Sequence, residues 1–396
     1  FAQPRHSDPR FERRRVARPR AFVNAHGYRV EALDHRRMAI HRDEWLSLAS
    51  HSIEPNIFFE PGFVLPAAHL RAADPPLFIV VRRLVEGRMQ LVGVCPISQR
   101  DLRSNRRTIR VWSHVYSALG TPLFDRRCFK GAFDAIIDWL AYNRRSALLV
   151  AEIGVEGPFA RMLVARARRL RSRVSIFDLH ERPVLHAGQD VELSANARRA
   201  LVRNHSRLTD LGPTHFRLIR GSAELAEAIE LFLTLESSGW KGRRGTALAN
   251  DAAAIFARSI VRTLAGSNAC SIGSLEHNGR PIAMFVLLGL ANHIVCWKTA
   301  FDEEFSKYSP GLLLLASLTE SLLADPHFEF ADSCTGIENA TVSRMWKSRI
   351  RVGDLMVAVS PRFIGFRVAD ARERLRRSAR QAAKAVFRAA WDRRRR

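Results

Sequence analysis

The sequence has no run of about 18 uninterrupted apolar residues, so no segment reads as a membrane-spanning helix. No apolar block near its start resembles a signal peptide, although the chain opens on Phe1 rather than Met and so leaves the true start, and targeting, open. Cysteine is scarce. Cys95, Cys128, Cys270, Cys296 and Cys334 form no close pair, which argues against a disulfide framework and against a zinc site. A reducing cytoplasm is the simplest setting, and no metal is expected. No glycine fingerprint follows a first strand, which removes a dinucleotide fold. Negative charge is short as well: 39 acidic residues face 63 basic ones, for a net charge of +24.

What is present is enough for real cores. An apolar fraction of 47% with 23 Phe and 7 Trp excludes global disorder, and 396 residues allow two domains. The positive excess is uneven. Residues 1–20 carry seven Arg against Asp8 and Glu12, and residues 362–396 carry thirteen basic groups against Asp370, Glu373 and Asp392. Charge concentrated in tails reads as a solubilising arm or as contact with an anionic surface. No reading motif accompanies it, so nucleic-acid binding is not expected.

Residues 1–20 have no apolar periodicity and read as a disordered basic arm. Short helices are predicted at Glu44–Ala49 and Ile57–Ala68. Leu77–Val85 and Met89–Ile97 form a hairpin about Glu86-Gly87-Arg88. A helix at Phe129–Tyr142, a strand at Ala147–Ile153, a helix at Pro158–Leu170 and a strand at Val174–Leu179 complete a first mixed unit. Ser194–Leu211 is a basic connecting helix, either an exposed spacer or a face for an anionic ligand. The second unit adds helices at Ala223–Ser237 and Asp251–Ala265, then a hairpin of Cys270–Glu276 and Pro281–Leu290 about His277-Asn278-Gly279-Arg280. Strand His293–Ala300, loop Phe301–Pro310, helix Gly311–Leu323, strand Phe328–Asp332, helix Ala340–Arg349 and strand Leu355–Val359 follow. The order fits an α/β protein with mixed sheets covered by helices.

Three blocks resemble a known family. Leu235-Glu236-Ser237-Ser238-Gly239-Trp240-Lys241-Gly242-Arg243-Arg244-Gly245, then Trp297-Lys298-Thr299-Ala300-Phe301-Asp302-Glu303 with Lys307-Tyr308-Ser309-Pro310-Gly311, then Phe330-Ala331-Asp332-Ser333-Cys334, are similar to the CelD-like acetyltransferase branch of the GNAT superfamily. That branch is related to the FemAB-type transferases. The resemblance implies tandem GNAT-like domains, at 21–185 and 214–361, joined by the basic helix of 186–213. It implies an N-acyltransferase with acetyl-CoA or a longer acyl-CoA as donor and an amine as acceptor, in polysaccharide or cell-envelope biosynthesis. The alternatives are a FemAB-like transferase using aminoacyl-tRNA and a non-catalytic assembly protein. The pyrophosphate loop departs from the usual Arg/Gln-x-x-Gly-x-Gly/Ala: here it is Lys307-Tyr308-Ser309-Pro310-Gly311-Leu312.

A pyrophosphate needs several N–H donors converging at one place, which a helix N-terminus supplies. Ser309 is the expected N-cap, Pro310 suits the first helical position, Gly311 and Leu312 follow on the donor side, and Lys307 adds charge. An ordinary helix start has the same pattern. Transfer to an amine needs the amine neutral and a proton donor for the departing thiolate. Tyr308 is either that donor or a packing aromatic. Asp332 is either the group that binds or deprotonates the acceptor or a cap for the next loop. Asp302 and Glu303 either orient a cationic acceptor or bond their own loop. Strand alternation sends Trp297 to the core and leaves Lys298 for the cleft, unless a bulge intervenes. Trp240 walls an acceptor pocket, while Lys241 and Arg243 reach carboxylates or phosphates, or the segment is a surface turn anchored by Trp240.

From Asp370 onward, Leu375, Ala379, Ala382, Val386, Ala390 and Trp391 make a shallow apolar stripe among Arg372, Arg376, Arg380, Lys384 and Arg388. The stripe reads either as a basic amphipathic tail lying on an anionic membrane or as a solvated arm. The first reading places a cytoplasmic enzyme peripherally at the inner face of a membrane, beside a small-molecule, lipid-linked or sugar-linked acceptor.

Overall fold

The computed structural model describes residues 22–393 apart from 71–73, 105, 192, 249–250, 291 and 360–362, so the expected arm at 1–20 lies outside the described residues. Strands β1 (Phe22–Val23) and β2 (Arg29–Asp34) lead into helices α1 (His35–Ala39), α2 (Arg42–Ser50) and α3 (Pro61–Leu70). The hairpin of β3 (Pro76–Val85) and β4 (Arg88–Ser98) comes next, then α4 (Gln99–Arg103), β5 (Thr108–Arg110), β6 (Leu123–Phe124) and α5 (Phe129–Tyr142). Strand β7 (Ala147–Gly154), α6 (Pro158–Arg169), β8 (Val174–His186) and α7 (Ala195–Thr209) close the first half.

The second half runs β9 (Thr214–Ile219), α8 (Ser222–Ser238), α9 (Trp240–Arg243), α10 (Asp251–Ala265), β10 (Cys270–His277), β11 (Arg280–Leu290) and β12 (His293–Phe301). Then come α11 (Pro310–Leu323), β13 (Phe330–Asp332), α12 (Ala340–Met345), β14 (Ser348–Ala358) and α13 (Phe363–Arg393). Both hairpins close with two-residue loops whose residues take positive φ, Glu86-Gly87 at 49° and 77° and Asn278-Gly279 at 50° and 74°. That twist matches the flanking strands, which is why these short turns hold register.

The protein is mixed α/β, with an antiparallel five-stranded sheet, β1-β2-β3-β4-β6, and a mixed nine-stranded sheet, β5-β7-β14-β8-β13-β12-β11-β10-β9. The larger sheet does not stop at the expected division of 186–213. Strand β14, from the C-terminal end of the chain, lies between β7 and β8 and pairs Leu355 with both Val150 and Ile176. Strand β8 then continues past the expected Leu179 to His186, and β13 pairs with its last residues on the edge opposite β14, through Asp332↔Val184. Its full length is paired, so the strand has no reason to end early. The helix expected at Ala340–Arg349 stops at Met345. Trp346 turns extended and is buried, with Nε1 donating to Thr319 Oγ1 at 3.0 Å, and the chain then enters β14.

One large core runs through both halves. Phe63 of α3 meets Phe256 of α10 edge-to-face at 5.6 Å, and both rings meet Trp297 at 6.2 Å. A second cluster surrounds α11, and a small third one lies beneath α13. Among the described residues no helix is long and apolar enough to cross a membrane.

Candidate active site

The site begins at a bulge. Across β11 and β12, Val286 faces Lys298 while Leu287 faces Cys296, so Trp297 is an extra residue without a partner. A bulge breaks strand alternation and re-aims side chains. Trp297 is therefore buried in the aromatic core, as expected, yet it lines the same cavity as Lys298 instead of pointing away from it. Its Nε1 donates to the Tyr116 carbonyl at 2.9 Å, and Lys298 Nζ stands 4.6 Å from the centre of the Tyr116 ring. Burial pushes the Lys298 pKa down and Lys241 pushes the same way, while Glu236 opposes them.

Two cavities follow one another along β12, with the loop after β13 passing over both. The first, about 260 Å³, is bounded by Trp240, Lys241, Thr299, Phe301, Gly311 and Asn339. The second, about 490 Å³, is bounded by Tyr116, Glu152, His180, Arg182, Lys298 and Glu338. Strand β12 thus offers residues 297–298 to one and 299–301 to the other.

The N-terminus of α11 faces the first cavity through Gly311, where an added Cβ would meet nothing within 4 Å. Ser309 holds the N-cap position but does not cap with its hydroxyl. The preceding 3-10 turn, Glu303–Tyr308, ends on Ser309 and forces it left-handed, at φ 53°; its carbonyl takes the Leu312 and Leu313 N–H groups instead. Leu312 is half-buried against the α11 cluster. Lys307 is exposed and lies 4.9 Å from the Tyr308 ring, and Tyr308 also packs on Phe305, outside both cavities.

Several expected substrate contacts turn out to bind one another. Asp302 caps the 3-10 turn by accepting the Glu304 N–H at 3.0 Å. Glu303 accepts from the Trp240 amide and from Arg243, which holds its carboxyl below the usual range and clamps α9 to the turn. Lys241 Nζ donates to Glu236 Oε1 at 3.0 Å and to the Thr299 carbonyl, so it ties α8 to β12. Glu236 is almost fully buried, and its other oxygen accepts the Leu248 amide at 2.8 Å. Sequence reasoning passed over Glu236, although it sits seven residues after Ile229 and four after Phe232, on the apolar face of α8. A carboxylate in that stripe requires a buried partner. Gly242 explains the local motif: a Cβ there would come 1.7 Å from the Ser237 carbonyl oxygen.

The second cavity takes Glu152, His180 and Arg182 from the first half of the chain and Lys298 and Glu338 from the second. Arg182 of β8 is buried and donates to the Ala118 carbonyl at 2.8 Å, to Asp332 at 3.4 Å and to Glu152. Asp332 is 1% exposed and also accepts the Cys334 amide at 2.8 Å, so it stands behind Arg182 rather than facing an acceptor. Burial raises the Asp332 pKa against the pull of Arg182. Glu152 instead opens into the cavity, with His180 Nε2 at 3.7 Å. Burial raises its pKa, Arg182 offsets this in part, and Asp354 adds to the rise. Glu152 and Cys334 each hold φ at 53°, a strained conformation for such residues that is common where a site over-determines the backbone. The Cys334 thiol is pushed well up by burial, so it does not serve as a thiolate.

Residues 195–339 match the family model described as an acetyltransferase (GNAT) domain. This chain carries a GNAT-type acetyltransferase domain. The matched residues include most of the first cavity's lining, the bulged strand and Asp332, but not Tyr116, Glu152, His180 or Arg182. No curated protein matches the sequence. Among solved structures, FemX is similar at 9% identity over 82% of this chain and 98% of its own, with a TM-score of 0.52. The C-terminal domain of a putative lysylphosphatidylglycerol synthetase from Agrobacterium fabrum is similar at 11% identity over 81% of this chain and 92% of its own, with a TM-score of 0.51. These likenesses establish a shared fold that includes both halves.

Proposed function

We propose that the protein is an N-acyltransferase that moves an acyl group from a CoA thioester to an amine. The observation that carries this reading is the bulge at Trp297, which places two cavities end to end along β12. The donor lies in the first, with its pyrophosphate at the N-terminus of α11 beside Gly311, where the helix dipole favours anions. The acceptor amine enters the second, where the Glu152 carboxylate attracts its ammonium form. Glu152 takes one proton, and the neutral nitrogen attacks the thioester carbonyl. The C–N bond forms, the C–S bond breaks, and the thiolate leaves as thiol once protonated. A pKa raised by burial brings a carboxylate closer to the range in which it can act as a base near neutral pH. The resemblance to CelD-like transferases supports reading the acceptor as an amino group on a polysaccharide or envelope precursor.

Calorimetric titration with acetyl-CoA and longer acyl-CoAs tests the donor. The wild type is expected to bind saturably. G311W is expected to fold normally, since the site is open, and to lose at least about tenfold in affinity by filling the phosphate seat. Unchanged affinity in folded G311W removes this donor site, and binding only to charged tRNA replaces CoA as the donor.

A further inference from the structure

Helix α13 carries two lines of side chains on opposite sides. The inner line is Phe366, Ala369, Glu373 and Arg377, all buried. Phe366 and Ala369 pack on Phe177 and Met356, Arg377 Nη2 donates to Asp354 at 2.7 Å, and Glu373 accepts from Arg110 at 3.2 Å. These contacts fix the first four turns to β5, β14 and β8. At 3.6 residues per turn, Ile364, Val368, Ala371, Leu375, Ala382 and Val386 fall on a second line roughly half the circumference away. Its large members are exposed: Ile364 by 81%, Val368 by 45%, Leu375 by 73% and Val386 by 70%. From Ser378 to Val386 every residue is exposed, so the helix projects past the body.

Charge and periodicity identify what covers this line. Asp370 is paired with Arg374 and Glu373 with Arg110, Arg376 and Arg377, which leaves Arg367 and Arg372 flanking the outer line without an acidic partner among the described residues, while Arg380 and Lys384 continue the inner line where the helix projects past the body. Ile364, Leu375 and Val386 recur every eleven residues, close enough to the helical period that the line runs nearly straight. Val368, Leu375 and Ala382 also recur every seven residues, but Ala371, Ser378 and Ala385 leave the alternate positions of such a seam without large apolar groups, and two such cationic surfaces would repel. A nucleic acid would have no use for the apolar line. We propose that α13 docks the protein on an anionic lipid bilayer, with its outer line in the headgroup boundary and its cations on lipid phosphates. The alanines make insertion shallow, so charge dominates and binding is reversible and screened by salt.

The test is cosedimentation of the full chain with phosphatidylcholine vesicles, with and without phosphatidylglycerol, at low and high salt. The wild type is expected to pellet only with anionic vesicles at low salt. L375D/V386D and, separately, R367E/R372E are expected to fall to the level seen with neutral vesicles, with unchanged thermal unfolding because all four positions are exposed. Equal pelleting of wild type and both variants, or pelleting of the wild type on neutral vesicles alone, overturns the proposal. So does a wild-type dimer, seen by sedimentation velocity, that L375D/V386D dissociates.

Discussion

The Arg182 cluster and the Arg377 cluster meet at one carboxylate: Asp354 accepts the Glu152 amide at 2.9 Å through Oδ1 and Arg377 at 2.7 Å through Oδ2. Both bury guanidinium against carboxylate, yet they treat their glutamates in opposite ways. Burial alone would raise Glu373, but Arg376, Arg110 and Arg377 outweigh it and hold its pKa at about 2. Glu152 must share a single Arg182 with Asp332, so burial wins and its pKa rises. The number of cations per carboxylate, rather than burial, decides which cluster is structural and which keeps a group able to exchange a proton.

The sharpest way to break this comparison is to remove each arginine. R182M should cost about 3–5 kcal/mol in denaturant unfolding, since Asp332 is left buried without a counter-charge. R377M should cost less, about 1–3 kcal/mol, because Glu373 keeps Arg110 and Arg376, the Asp178 side chain is half-exposed, and Asp354, which loses its guanidinium, is 8% exposed against 1% for Asp332. Equal losses would mean that cation count does not separate the clusters. Next in size is E152Q, which should lower kcat about 10²–10⁴-fold and remove the acid limb of the rate profile.

Stability against pH separates the two glutamates further. Folded Glu152 holds its proton above the ordinary carboxylate range, so it draws stability down as pH rises through its raised pKa, and E152Q should remove that slope. Glu373 does the reverse. Its contribution is present above the ordinary range and is lost as pH falls towards about 2, so E373Q should weaken the protein at neutral pH and flatten its acid limb. The smallest effect is expected from R243A. Its pair with Glu303 is exposed and solvent-screened, and the unfolding midpoint should not move.

Elements with their own signals were legible in the sequence. Helices α5 and α10 begin and end where apolar periodicity places them, and the Asn278-Gly279 turn fixes its hairpin. Gly311 and Trp240 sit in contiguous motifs, and both line the first cavity. Glu152, His180 and Arg182 were not legible. Glu152 is a polar residue within an otherwise apolar expected strand, His180 and Arg182 lie past the expected end of theirs at Leu179, and nothing local says that β13 will bring Asp332 to Arg182. The bulge at Trp297 was equally hidden, since it exists only in register with β11.

The sequence by itself determined helices and hairpins, the cationic ends and the composition of the motif loops, because periodicity, turn chemistry and charge act over a few residues. Tertiary structure decided the rest. It placed β14 between β7 and β8, turned Lys241, Arg243, Asp302 and Glu303 into struts, and set Asp332 behind Arg182 while Glu152 faced the cavity. Strand neighbours are chosen by which faces can be buried together, and a carboxylate's partner by what lies across the sheet. Neither is set by the residues adjacent in the chain.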